Sequence, residues 1–346
     1  MDEEQTGDTD YESHVSLSDA TTGKMASRLR FLNVFFNYRE LSLLLIVIAL
    51  GILLSIFTEN FSGQSNLFNV ARQVSLIIVV ALGATLVLIS GGIDLSVGSV
   101  LGLAGIVTSL ASVSGIPVVI AILLGLSTGV ACGLINGLLI AKAKINPFIV
   151  TLGMMSVARG IALVVTKGYS ITIESEFLLY LGQGYVGPVP VPVIIMILCV
   201  LAVDLYYRKH TFGSRVRAIG GNEEAARISG IKIDKNRIVI YALAAFLAAF
   251  AGIIMVGRLN VGQPSAGQGW ELRAIAAAIV GGTSLSGGVG SIWGTVLGAI
   301  LIGIIGNGMV LLGIPMEWEQ VVTGTIIVAA VALDSLTRRR TRGTHG

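Results

Sequence analysis

Charge is what this chain has least of. Only 12% of its 346 residues are Asp, Glu, Lys or Arg, against 54% apolar, and its mean hydropathy is +0.85. A water-soluble chain of this length carries about 25% charged residues to cover its surface, so most of this one must face lipid. Cysteine is almost missing as well. Cys132 and Cys199 both fall inside apolar runs and read as small hydrophobes, which leaves no disulfide framework. No Gly-x-x-x-x-Gly-Lys-Ser/Thr phosphate loop occurs, so the chain does not itself bind ATP in that way. A Gly-x-Ser-x-Gly elbow is absent too, and His14, His210 and His345 lie in tails or loops, with no metal-ligand cluster and no base inside an apolar run. These absences argue against an enzyme, and nothing points to nucleic acid. No export signal is expected at residues 2–20, which hold seven acidic groups and no Lys or Arg. Residues 1–40 read as a disordered acidic tail with a basic juxtamembrane segment.

What is there is oil and glycine. The 44 glycines suit membrane helices whose backbones approach closely. A hydrocarbon core of about 30 Å needs roughly 17–25 apolar residues per helix, and ten segments qualify or nearly do: 41–57, 74–90, 97–113, 117–140, 147–166, 190–206, 237–257, 273–285, 289–312 and 321–336. The expected fold is all-α and polytopic, with a transmembrane domain over 41–336 and a basic tail over 337–346. Glycines interrupt 74–113 and 273–312, so helices there are expected to be broken or re-entrant. If the N-terminus is inside, the inner segments collect 18 of the 23 lysines and arginines, eight of them in the 207–237 loop. By the positive-inside rule both termini are cytoplasmic. The stretches "SGGIDLSVGSVLGLAG" (90–105) and "SGGVGSIWGTVLGA" (286–299) resemble each other once four residues are skipped, as in a parallel repeat or merely in two close-packed helix turns.

One polar island interrupts the oil: "GGNEEAARISG", residues 220–230. Asn222 is a good N-cap, Glu223 and Glu224 suit the positive end of a helix, and Gly230 suits its C-terminal stop. Ala225, Ile228 and Ile231 recur at helical spacing. A helix this short is marginal alone and is expected to rest on another surface.

"RAIGGNEEAARISGI" resembles the coupling loop of permeases of ATP-binding-cassette (ABC) importers, with Glu224, Ala225, Ala226 and Gly230 at the signature positions. The likeness to the ribose-type branch of sugar permeases extends through "NPFIVTLGMMSVARGIALVVTKG" (146–168) and "AIAAAIVGGTSLSGGVGSIWGTVLGAILIGIIGNG" (274–308). The resemblance implies a bacterial plasma-membrane permease subunit for a monosaccharide or similar small polyol. It implies cytoplasmic ATPase subunits that hold ATP and Mg, docked at Asn222–Ala226 and Gly230, with no cofactor on this chain. It also implies an extracytoplasmic sugar-binding protein and a second permease copy, identical or a close paralogue. The rivals are an ion-gradient-driven carrier, for which Asp94 is the candidate ion site, a passive channel, and a permease for a nucleoside, branched-chain amino acid or sugar-like signal.

Charges inside spans are costly and face inward. Asp94 and Arg159 are candidates for a buried ion pair. Alternatively Asp94, with Ser90, Gly91, Gly92 and Ser96, lines or gates a translocation path. Thr283, Ser284, Ser286 and Asn307 form a second polar set at interior depth, for packing or for the same path.

Overall fold

A computed structural model describes residues 39–315 and 317–343, with side chains from 40 to 332. The acidic tail over 1–38 and the last three residues lie outside the described residues. Thirteen helices follow in order: α1 (Arg39–Phe57), α2 (Gln64–Ile89), α3 (Val97–Val113), α4 (Val118–Ala141), α5 (Pro147–Thr166), α6 (Glu176–Gln183), α7 (Val191–Lys209), α8 (Thr211–Gly221), α9 (Glu223–Ile228), α10 (Ile233–Leu259), α11 (Trp270–Val280), α12 (Ile292–Leu311) and α13 (Glu317–Gly343). Four two-residue strands make two small antiparallel ladders: β1 (Ile171–Thr172) with β4 (Val261–Gly262), and β2 (Tyr185–Val186) with β3 (Val189–Pro190).

Each of the ten apolar segments falls on a helix. Among the described residues seven helices are long and apolar enough to cross a membrane: α1, α2, α4, α5, α7, α10 and α12. The chain is a multi-pass helical membrane protein. α3, with 17 residues, and α11, with 11, are short; at 1.5 Å per residue α11 is only about 17 Å long and cannot cross alone. α2 begins at Gln64, ten residues before the expected start, because its first turns carry Asn66, Asn69 and Arg72.

Burial follows composition. α2 is apolar all round over Val74–Ile89, and every residue of that stretch is buried. α1 is just as apolar yet mostly exposed, as a lipid-facing helix must be. The closest seam joins α4 to α10. Gly129, Gly133 and Gly137 recur every four residues on α4, against Ala249, Ala245 and Ile238 of α10, while Gly125, one turn earlier, lies closest to Ala104 and Thr108 of α3. A Cβ on Gly137 would stand 2.7 Å from the Cα of Ile238, and one on Gly133 would stand 2.5 Å from the carbonyl oxygen of Tyr241. Only glycine allows this approach.

At one end of the bundle lie α8 and α9, with the C-terminus of α2 and the N-terminus of α10. There Lys142 and Lys144, after α4, both pair with Asp234 (3.1 and 2.9 Å). At the opposite end α6 lies across the C-terminus of α10, its Gln183 amide donating to the carbonyls of Gly257 and Arg258.

Candidate functional site

Three pieces of chain meet at one end of this bundle. The first is the polar island. The Asn222 side chain accepts from the Ala225 amide at 2.9 Å, and Gly230, at φ +79°, closes the helix as its N–H reaches the Arg227 carbonyl. Ala226 is buried with Ile219 and Ile233. This corrects the expected stripe: Ala225 is exposed and Ile228 is 80% exposed. A six-residue helix has too few turns for spacing to fix its phase, and packing against α8 and the start of α10 sets it instead. Glu224, Ala225 and Ile228 therefore point away from the bundle. Glu223 points back, bonded to Arg227 (3.0 Å) and to Arg237 of α10 (2.6 Å). Burial alone would raise its carboxyl, but the two guanidinium groups outweigh that and hold it below the ordinary carboxylate range.

The second and third pieces are breaks in membrane helices. Residues 90–96 are non-helical between α2 and α3, and 281–291 between α11 and α12. They converge on the island. The Gly288 amide donates to the Ile89 carbonyl at 2.8 Å. A Cβ on Gly220 would strike that same carbonyl, and Gly287 and Gly288 lie against the backbone of Gly220 and Gly221. Gly91, Gly287 and Gly288 all have positive φ, which glycine takes without strain. The two look-alike Ser-Gly-Gly stretches thus flank the two glycines that open the island.

A further non-helical segment, 261–269, begins with β4 and precedes α11. It runs along the small-residue face of α3: Gly262 meets Ser109, Ala266 meets Gly102 and Gly267 meets Gly98. Arg159 serves this segment. Its Nη1 donates to the carbonyls of Pro264 and Ala266, the latter at 2.8 Å. The expected Asp94–Arg159 ion pair is not formed. Unwound backbone at membrane depth leaves carbonyls without helical partners, and the guanidinium supplies them. Asp94 has other company: its Oδ1 accepts from the Ser96 amide (2.8 Å) and hydroxyl (2.6 Å), and the Ser96 hydroxyl accepts from Asn136 (3.0 Å). Asp94 Oδ2 and Asn136 Oδ1 are buried with no hydrogen-bond partner among the described residues.

The remaining polar residues divide. Ser90 is buried and donates to the Val87 carbonyl. Thr283 and Ser284 are buried in the 281–291 break, Ser286 is exposed there, and Gly92 packs on Tyr241. Asn307 lies apart from them, on α12, exchanging two amide hydrogen bonds with Asn66 of α2 (3.0 and 2.8 Å). It clamps two helices. Another pair missed from sequence is Arg273 of α11 with Glu319 of α13, at 2.8 Å and largely buried.

Comparison with known proteins adds a family. The family described as "Branched-chain amino acid transport system / permease component" matches residues 66–331. The Ribose import permease protein RbsC of Bacillus subtilis (strain 168) is 45% identical over 288 residues, 82% of this chain and 89% of that relative. Its Escherichia coli (strain K12) namesake is 41% identical over 323 residues, 91% of this chain and 99% of the relative. The L-arabinose transport system permease protein AraH of Escherichia coli (strain K12) is 37% identical over 335 residues, 94% and 99% of the two chains. No solved structure matches.

Proposed function

This chain belongs to that permease family, and from this premise we propose how it works as the membrane subunit of a sugar importer of the ABC class. The outward face of α9 is the docking surface for a cytoplasmic ATPase, which binds and hydrolyses ATP with Mg. Glu224, Ala225 and Ile228 meet the ATPase, while Glu223, through Arg237, ties the helix to α10. The observation that carries this reading is that inverse polarity: an acid and an apolar side chain left exposed outside, and an acid used inside as a brace. A push on α9 reaches α10 through the brace. It reaches the breaks at 90–96 and 281–291 through Gly220 and Gly221. Those breaks, with Ser90, Gly91, Gly92, Asp94 and Ser96 on one and Thr283, Ser284 and Ser286 on the other, are the inner gate.

The rest of the machine follows from the family. The relatives are permeases of ribose and L-arabinose systems, and the cargo here is a monosaccharide or similar polyol. An extracytoplasmic binding protein delivers it, and a second permease copy completes the path. Residues 41–336 form the permease domain, with 1–40 and 337–346 as cytoplasmic tails. α3 and α11, each with its irregular segment, and α13 complete ten crossings and put α8, α9 and both termini in the cytoplasm.

Two experiments test this. In a background without Cys132 and Cys199, cysteine replacing Glu176, exposed on α6, should react with an impermeant reagent outside intact cells, and cysteine replacing Asn222 only after the cells are opened. Reaction of position 222 in intact cells would overturn the orientation. Glu224→Lys with Gly230→Val should leave membrane insertion near normal and abolish sugar uptake and ATPase co-purification. Full uptake by that double variant would remove the ATP-coupled reading in favour of a gradient-driven carrier.

A further inference from the structure

The segment 261–269 lies at membrane depth, not beyond it. Gly267 touches Gly98 at the start of α3 and Gly262 touches Ser109 near its end, so the chain descends through most of the length of α3. Arg159, which holds it, is the thirteenth residue of the 20-residue α5. Yet Gln263, Ser265 and Gln268 are all exposed on this descent, alternating with Pro264 and Gly267, which are buried, and Ala266, which is half-buried. Their side chains make no hydrogen bond within the described residues. Three polar side chains standing free at this depth cannot face hydrocarbon without a large desolvation cost. Irregular backbone within a membrane is tolerated where it is buried or lines a water-filled cavity.

We propose that Gln263, Ser265 and Gln268 line the outer half of the translocation path and bind passing sugar through its hydroxyl groups. A primary amide offers two donors and an acceptor, and a serine hydroxyl offers both, which suits a polyol whose every hydroxyl does the same. Three such groups on one descending segment form a ladder of weak contacts without a trapping charge. The ladder leads to Gly267–Gly269, where the segment turns into α11 and so towards the inner break. This rests on the sugar-importer reading and adds to it the residues that touch the cargo.

The test uses the full chain in vesicles with its ATPase and binding protein. Single cysteines replace Gln263, Ser265 and Gln268 in the Cys132→Ala, Cys199→Ala background, and Val164→Cys, 77% exposed on α5, serves as the lipid-facing control. An impermeant charged thiol reagent should modify the three positions and spare the control. Ribose or L-arabinose delivered by the binding protein should slow the modification. In parallel, Gln263→Leu with Gln268→Leu should cut uptake about tenfold, the effect of one lost hydrogen bond of ordinary strength, while the binding protein still stimulates the ATPase. Reaction only with a membrane-soluble maleimide would place the residues against lipid and overturn the proposal. So would rapid cross-linking between two copies with no entry of the charged reagent, which would make this a closed seam. Charged-reagent entry that responds to ATP, in a protein that moves neither sugar, would keep the path and remove the sugar.

Discussion

Between α4 and α10, glycines every four residues from Gly129 to Gly137 let two helices touch over more than two turns; at 90–96, 261–269 and 281–291 glycines let helices stop. The same residue serves opposite ends because two of its properties are separable. On α4 the missing Cβ matters and the backbone is ordinary helix. At Gly91, Gly267, Gly287 and Gly288 the positive φ matters as well. The first use builds a rigid pair. The second builds joints, all of them next to the island that the ATPase is proposed to move or on the path it is proposed to open.

The comparison can be broken at several points. Gly133→Val should do most damage, since its Cβ would press on the Tyr241 backbone and neither helix can give way; overpacking of this kind costs about 3 kcal/mol. Folded yield after detergent extraction measures it, and wild-type yield would mean the seam is looser than drawn. Next is Arg159→Leu, which strands the Pro264 and Ala266 carbonyls at about 2 kcal/mol. Adding Asp94→Asn should add its own loss. Recovery of yield in the double variant would instead revive a pair between the two charges. Gly230→Ala has room for the new methyl but must hold φ +79°, at about 1 kcal/mol confined to α9. Amide exchange over 223–231 should quicken there and nowhere else. Smallest of all is Gly160→Ala on α5, where a Cβ meets nothing. It should be neutral or stabilising by up to about 1 kcal/mol, which a thermal melt would register.

Acid gives a gentler probe of the island. Glu223 has a lowered pKa, so the stability it lends α9 is in force above the ordinary carboxylate range and is lost as pH falls through the lowered value. Protection of α9 should weaken on that acid limb, and Glu223→Gln should flatten the dependence. An unchanged acid limb in Glu223→Gln would assign it to another group.

Helix positions were legible in the sequence because hydropathy and length govern them, and every apolar segment marks a helix. Capping chemistry placed Asn222 and Gly230 correctly for the same local reason. Three things were not legible. Depth was one: "VGQPSAGQG" has the composition of a surface loop, and only its passage along Gly98 and Gly102 shows that it descends into the bundle. Pairing across distance was another, since Arg159 is answered by main-chain carbonyls, which no side-chain pattern announces. Helix phase was the third. Over six residues, burial of Ala226 and exposure of Ile228 are decided by α8 and α10, not by spacing within the helix.

The α4–α10 seam also limits the kind of motion this protein can perform. Its notches repeat every four residues, or about 6 Å along the axis. A slide of any smaller distance would drive the Ala249 and Ala245 methyls onto the ridges between glycines, so the two helices engage like a rack and cannot creep past each other. Gradual shear is therefore closed to this pair. Force that the proposed ATPase delivered at the foot of α10 would then tilt both helices as one lever, with its fulcrum where the main chain is already unwound.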